Sequence, residues 1–244
     1  MSEDTYVDNL SVPRLEAWTK GFLYPFIEQC WSNSIAVVGN KNVIGSRLTA
    51  IDNIFEHAHQ NVKPNSMAQV VPSLLALRSF NAFRASVMVC LCLPTESYPL
   101  QRTCLETAGY ARLIASDSKL SEFWLNRTDD AEAKSRFTNR AVREAIASGD
   151  EGLAKIYQEL YERTIDFGAH PNEKSVTINI VKESVGTGSL QYRLLAGDGP
   201  GLDLALRTCA QVGVCSLKVL NLVFKQQFDA MNFEKRIASA SAPF

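Results

Sequence analysis

The 244-residue sequence lacks the residue patterns that indicate metal, redox or phosphate-loop chemistry. Its six cysteines form no CxxC pair, and its three histidines have no cysteine or carboxylate cluster in metal-ligand spacing. It has no glycine-rich phosphate loop and no nucleophile motif. We therefore predict no metal site and no cofactor, and we expect reduced cysteines inside the core.

The sequence also has almost no excess charge, with 25 Lys+Arg against 26 Asp+Glu and a net charge of -1. It therefore has no general positive field that would attract nucleic acid or an anionic membrane. The first residues, MSEDTYVDNL, are acidic and lack the basic start and apolar core of a secretory signal, so we expect a cytoplasmic protein.

One apolar run is about long enough to suggest a membrane span, but polar residues interrupt it. The most apolar segment, residues 73–93, is interrupted by Arg78, Asn81 and Arg84. Each arginine near the centre of a bilayer costs about 2.5–3.5 kcal/mol. The segment is better explained as a buried helix of a bundle.

Apolar residues at helical spacing cover most of the chain. Proline at position 25 predicts a kink near Tyr24, and Pro94 and Pro99 bracket a short turn that makes the helices on either side antiparallel neighbours. The spacing predicts helices over residues 12–31, 46–60, 65–93, 99–116, 118–127, 131–148 and 150–168.

The pattern changes after Pro171 from helical spacing to alternation. Apolar residues alternate with more polar ones at two sets of positions: Val176, Ile178 and Ile180, and then Leu190, Tyr192 and Leu194. A glycine-containing turn separates the two sets, so a β-hairpin is predicted at about residues 175–195. Residues 202–237 then have the spacing of one long helix. Gly213 lies in the middle of this segment and lowers its helix propensity there.

The predicted fold class is mainly α: a helical bundle with one inserted β-hairpin before a long C-terminal helix. Residues 1–244 form a single mainly helical domain, with residues 1–61 as an N-terminal helical appendage and residues 62–236 as the bundle core. The long helix carries an apolar stripe that would supply the surface of a homodimer. The stripe consists of Leu206, Cys209, Leu217, Leu220, Phe224 and Met231.

Charged residues inside the apolar helices form the first candidate site. Arg102 and Glu106 stand four residues apart on one helix face, and Arg78 lies on the preceding helix. An unpaired buried charge is costly, so Glu106 is the expected counterion of Arg102 or of Arg78. Two interpretations stay open: a structural ion pair that fixes helix register, or a pocket in the bundle interior that binds a small anionic ligand.

The segment YERTIDFGAHPN contains the second candidate site, Arg163 and His170. On one continuous helix these two residues would face the same way, about 10 Å apart along the axis. Gly168 and Pro171 favour a helix end before His170, which places the imidazole at a junction. Asp166 could then orient the imidazole or pair with Arg163.

An arginine followed by a histidine near a helix end resembles the HEPN superfamily (higher eukaryotes and prokaryotes nucleotide-binding domains). Together with RTCLE on an earlier helix, it also looks like the uncharacterised bacterial helical proteins related to that superfamily. The resemblance covers about residues 73–171. It implies a metal-independent ribonuclease that acts as a dimer on RNA, with Arg and His of both subunits lining one cleft. It also implies that Arg163 stabilises phosphate charge and His170 moves the proton of the attacking ribose hydroxyl.

Three functions are consistent with the sequence. The first is a non-catalytic dimerising or regulatory module. The second is a HEPN-like ribonuclease of the defence or toxin type that uses Arg163 and His170. The third is a protein that binds a small anionic ligand among Arg78, Arg102 and Glu106.

Overall fold

The computed structural model describes residues 21–126, 135–181, 188, 191–195 and 197–241, and it confirms a mainly α fold. A 3-10 turn, Met67–Gln69, precedes the third helix, and a π-helical turn, Ile165–Ala169, follows the seventh. None of the helices in these ranges has the length and apolar character that crossing a membrane requires. The α-helices are α1 Leu23–Asn40, α2 Asn42–Asn61, α3 Val70–Cys90, α4 Pro94–Ser116, α5 Leu120–Asn126, α6 Asn139–Ala147, α7 Glu151–Thr164, α8 Glu173–Thr177, α9 Pro200–Val223, α10 Lys225–Ala230 and α11 Phe233–Ala240.

The centre of the bundle is the antiparallel pair α3 and α4, on which α9 packs. Ser79 Oγ on α3 donates a hydrogen bond to the Cys104 carbonyl on α4, with 2.8 Å between the oxygens. Cys104 Sγ in turn lies 3.3 Å from Ser216 Oγ on α9. These small side chains allow the three helix axes to approach closely. All six cysteines are free, and burial raises the pKa of Cys104 to about 11, so this thiol stays protonated.

The turn predicted between Pro94 and Pro99 is part of α4 instead. Pro94 is the first residue of the helix, where its missing N–H has no partner to lose. Pro99 lies inside the helix and leaves the Thr95 carbonyl without its helical donor. The connection from α3 is therefore only residues 91–93, which is short enough to make the two helices antiparallel.

The predicted β-hairpin is not supported, because the described residues contain no β-strand. Residues 173–177 form α8, which begins with a capping box: Ser175 N donates to Asn172 Oδ1 at 2.9 Å, and Asn172 N donates to Ser175 Oγ at 3.1 Å. Between the parts of this segment that the structure describes, an isolated antiparallel bridge joins Ile180 and Tyr192. Val176 is exposed, so no sheet face buries the alternating residues that predicted a strand. Leu190 lies outside the described residues.

The predicted single C-terminal helix is also wrong, because it breaks into α9, α10 and α11. The breaks lie at Phe224 and at Asn232, which has a positive φ of 54°. Each break turns the chain back over the bundle, so that Phe224, Phe228 and Phe233 are all buried. The rings of Phe228 and Phe233 meet edge to face with 4.8 Å between centroids. One straight rod would carry these aromatic rings past the end of the core.

The apolar stripe of this segment lies inside the molecule and does not supply a partner surface. Leu206, Cys209, Leu217 and Leu220 are each at most 2% exposed. The helix continues through Gly213, where a Cβ would lie 2.6 Å from Phe83 Cε2 and 2.8 Å from Ile51 Cγ2. The glycine therefore allows α2, α3 and α9 to meet.

The N-terminal segment divides at Lys41, between α1 and α2. Helix α2 contributes to the core through five residues: Leu48, Ile51, Ile54, Phe55 and Ala58. Helix α1 has no buried residue. Pro25 lies in the first turn of α1, where its missing N–H would have no helical partner, so the helix is not kinked there. The part of the predicted first helix before residue 21 lies outside the described residues.

Candidate functional site

The π-helical turn after α7 packs against the first turns of α4, and this contact positions His170. The rings of Phe167 and Tyr98 stack with 5.8 Å between their centroids. Gly168 lies over the Thr95 carbonyl that Pro99 leaves without a helical donor, and a Cβ at this position would collide with that oxygen. The close approach requires glycine here and ends the helical turn, so the following residues run back toward the middle of α4.

Arg102 is the centre of a hydrogen-bonded cluster that joins the two candidate sites predicted from sequence. Its Nε donates to Glu106 Oε1 at 2.9 Å, and its Nη2 donates to the Tyr161 hydroxyl at 2.7 Å. Its Nη1 lies 2.8 Å from His170 Nε2. The Tyr161 hydroxyl donates to the same Glu106 oxygen at 3.2 Å. Residues from α4, α7 and the segment after α7 are thereby linked.

The chemistry of the partners defines which atoms carry protons. A guanidinium has no acceptor, so His170 Nε2 must accept from Arg102, and the neutral imidazole carries its proton on Nδ1. Burial and the charge of Glu106 raise the pKa of Tyr161, so this hydroxyl stays protonated. Burial lowers the pKa of Arg102, but the hydrogen bond to Glu106 and its charge outweigh that effect and raise the pKa. The arginine is therefore cationic.

Arg102 is held by three partners: Glu106 on its own helix, and Tyr161 and His170, which link α4 to α7 and to the segment after it. The exposed Arg78 on α3 does not join this cluster among the described residues. The ligand pocket predicted from Arg78, Arg102 and Glu106 therefore has only two of its three residues together, and the guanidinium is already shared with Tyr161 and His170.

Arg163 and His170 contact different helices. Arg163 Nη1 donates to Gln211 Oε1 on α9 at 2.6 Å, and its Nη2 donates to Glu159 Oε1 at 2.6 Å. The π-helical turn after Thr164 changes the direction of the chain. Arg163 and His170 therefore do not face the same way, as they would on one continuous helix. Asp166 pairs with Lys174 at 2.7 Å, and its described contacts involve neither Arg163 nor His170.

Sequence reasoning missed Tyr161, which bridges Arg102 and Glu106. A local signal exists, because Tyr157 and Tyr161 stand four residues apart and their rings stack with 6.2 Å between centroids. The contact between Arg102 and His170 has no such signal, because 68 residues separate them.

Within the described residues, no group of three or more histidine, cysteine, aspartate or glutamate side chains could hold a metal ion. In comparisons with family models, curated proteins and solved structures, none matches this chain. The HEPN resemblance therefore stays a hypothesis drawn from the sequence.

Proposed function

We propose that the protein is a non-catalytic helical module that forms a homodimer through α1. The supporting observation is that α1 buries none of its residues while it exposes a continuous apolar stripe. Spacings of four, four, four and three residues place the members of the stripe on one helix face. The stripe consists of Leu23, Ile27, Trp31, Ile35 and Val38.

The composition of α1 resembles the core of a protein interface more than a solvated surface. The helix carries a single charged residue, Glu28, and Trp31 at the centre of its stripe is 57% exposed. Interface cores are depleted in charge and enriched in aromatic residues. Monomeric proteins rarely expose apolar patches larger than a few hundred Å².

The stripe extends into a groove between α1, α2 and α3 with a volume of about 750 Å³. Val38 and the exposed Met88 line this groove together. Met88 therefore continues the apolar surface of the stripe onto α3. A standard interface takes about 800 Å² from each partner, so a dimer would also need contacts beside the stripe, which this groove provides.

A second copy of the chain suits this surface because the stripe is self-complementary. In an antiparallel α1 pair with a two-fold axis near Trp31, apolar residues meet apolar residues along the whole stripe. Glu28 then lies opposite Ser34 of the other copy, so the two Glu28 carboxylates do not oppose each other. Burial of two apolar stripes would drive association.

Light scattering on the full chain tests the proposal. We expect the wild-type protein to have twice the chain mass of 27.0 kDa, and Ile35→Glu to have the mass of a monomer. Met67→Glu is the matched control, because Met67 is 84% exposed outside α1 and its replacement should leave the dimer intact. A wild-type monomer, or a dimer that survives Ile35→Glu, would overturn the proposal. If the chain were a monomer that dimerises only after removal of residues 1–20, the apolar stripe of α1 would be covered by those residues instead.

The HEPN-like ribonuclease is the alternative, with RNA as its partner. It requires Arg163 and His170 of two subunits to meet in one cleft, whereas within one chain they bind Gln211 and Arg102. RNA cleavage in the presence of a chelator, abolished by His170→Ala, would support it. Cleavage that His170→Ala does not change would exclude this mechanism. The cytoplasmic location likewise stays a prediction.

A further inference from the structure

A cavity of about 360 Å³ lies between α2, α7, α9 and the end of α11. Its volume lies within the range of about 300–1,000 Å³ that is typical of small-molecule sites. It is lined by Arg47, Leu153, Ile156, Glu159, Leu160, Arg163, Ala210, Gln211, Val214, Cys215, Lys218, Ala240 and Ser241.

Cationic side chains from three helices line this cavity. Arg47 comes from α2, Arg163 from α7 and Lys218 from α9, whereas Glu159 is the one carboxylate among the lining residues. Glu159 pairs with Arg163 at 2.6 Å and compensates its charge, whereas no described contact compensates Lys218. A bound anion could pair with Lys218 and share the guanidinium of Arg163, so the lining suits an anionic ligand.

Arg163 is held in place and keeps donors for a ligand. A guanidinium has five N–H groups, and Arg163 uses one toward Gln211 and one toward Glu159. The side chain is therefore oriented before any ligand binds, which reduces the entropy that binding would otherwise cost. Its remaining N–H groups can donate to an anionic oxygen.

The rest of the lining is apolar, which indicates an organic anion rather than an inorganic one. Leu153 and Leu160 are buried core residues, and Val214 is partly buried beside them. Arginine and lysine together recognise phosphate, arginine through its planar fork and lysine as a compact charge. We propose that this cavity binds a small phosphate monoester, with the phosphate between Arg163 and Lys218 and the organic group against the leucines.

Calorimetric titration of the full chain with phenyl phosphate tests the site. We expect saturable binding with a stoichiometry of one per chain, weaker binding of inorganic phosphate and no binding of phenol. Lys218→Gln should weaken binding about tenfold, as expected for loss of one charge-assisted hydrogen bond. Lys155→Gln is the matched control, because Lys155 is exposed on α7 outside the cavity and pairs with Glu151.

A second pair of variants keeps the test valid if Lys218→Gln does not fold. Ile156 lines the cavity and is 47% exposed, so its replacement carries little risk for the core. Ile156→Glu should abolish binding of phenyl phosphate through repulsion, and Ile156→Gln should retain most of it. Equal affinity of these two variants, inorganic phosphate binding as tightly as phenyl phosphate, or absence of saturable binding to the wild type would overturn the proposal. None of these results depends on dimerisation.

Discussion

Replacing Gly213 by alanine is expected to destabilise the protein, although alanine is the better helix former. The new Cβ would lie 2.6 Å from Phe83 Cε2 and 2.8 Å from Ile51 Cγ2. Both side chains are at most 1% exposed and cannot move into solvent. Overpacking of a core costs about 1–3 kcal/mol. The gain in helix propensity offsets about 1 kcal/mol of that cost. We therefore expect the free energy of unfolding to fall by up to about 2 kcal/mol.

Gly45→Ala is the matched control for helix propensity. Gly45 also lies in a helix, and a Cβ at this position would meet nothing within 4 Å. This variant should gain about 0.5–1 kcal/mol. Urea unfolding monitored by circular dichroism measures both variants, and the difference between them isolates the steric cost at Gly213. If Gly213→Ala were as stable as Gly45→Ala, the close contact of α2, α3 and α9 inferred from the structure would be refuted.

Three further changes test other parts of the structure. The pKa of Tyr161 is raised in the fold, so its contribution to stability is present below about pH 10 and is lost as the pH rises further. Tyr161→Phe should therefore lose less stability in urea unfolding between about pH 8 and pH 11 than the wild type does, and an equal loss would contradict this. Asn172→Ala removes the cap of α8 and should cost about 1 kcal/mol. Hydrogen exchange at the Ser175 amide should become faster, and unchanged exchange would argue against the capping box. Ser73 Oγ is shielded from solvent without a hydrogen-bond partner in the described part of the chain. Ser73→Ala should therefore raise the free energy of unfolding by about 1 kcal/mol, and a loss in the same assay would mean that the hydroxyl has a partner.

The mainly helical character could be predicted because it depends on local spacing. Apolar residues at positions three and four apart indicated α3, α4 and α7, whose inward faces are formed within each segment. The prediction of a β-hairpin was not supported, because alternation over a few residues is a weak signal for a strand. The capping box of Asn172 stabilises a helix where the first strand was expected. A strand also needs a partner strand with a face to bury, which single-segment patterns do not contain.

The candidate site could be predicted only in part. The pair Arg102 and Glu106 was visible because four residues separate them. The contact of Arg102 with His170 was not, because it depends on how α7 docks on α4. The partner of Arg163 was missed for the same reason, since Gln211 belongs to a distant helix.

The sequence by itself determined that the chain is mainly helical and which residues of α3, α4 and α7 form apolar faces. It could not determine which apolar face is buried, because burial depends on what packs against it. The stripe of the C-terminal segment, Leu206 to Phe224, resembled a partner surface and lies in the core, whereas α1 carries a stripe that nothing in the described residues covers. That assignment belongs to the tertiary structure, since only the packing of distant helices decides which apolar area is removed from water.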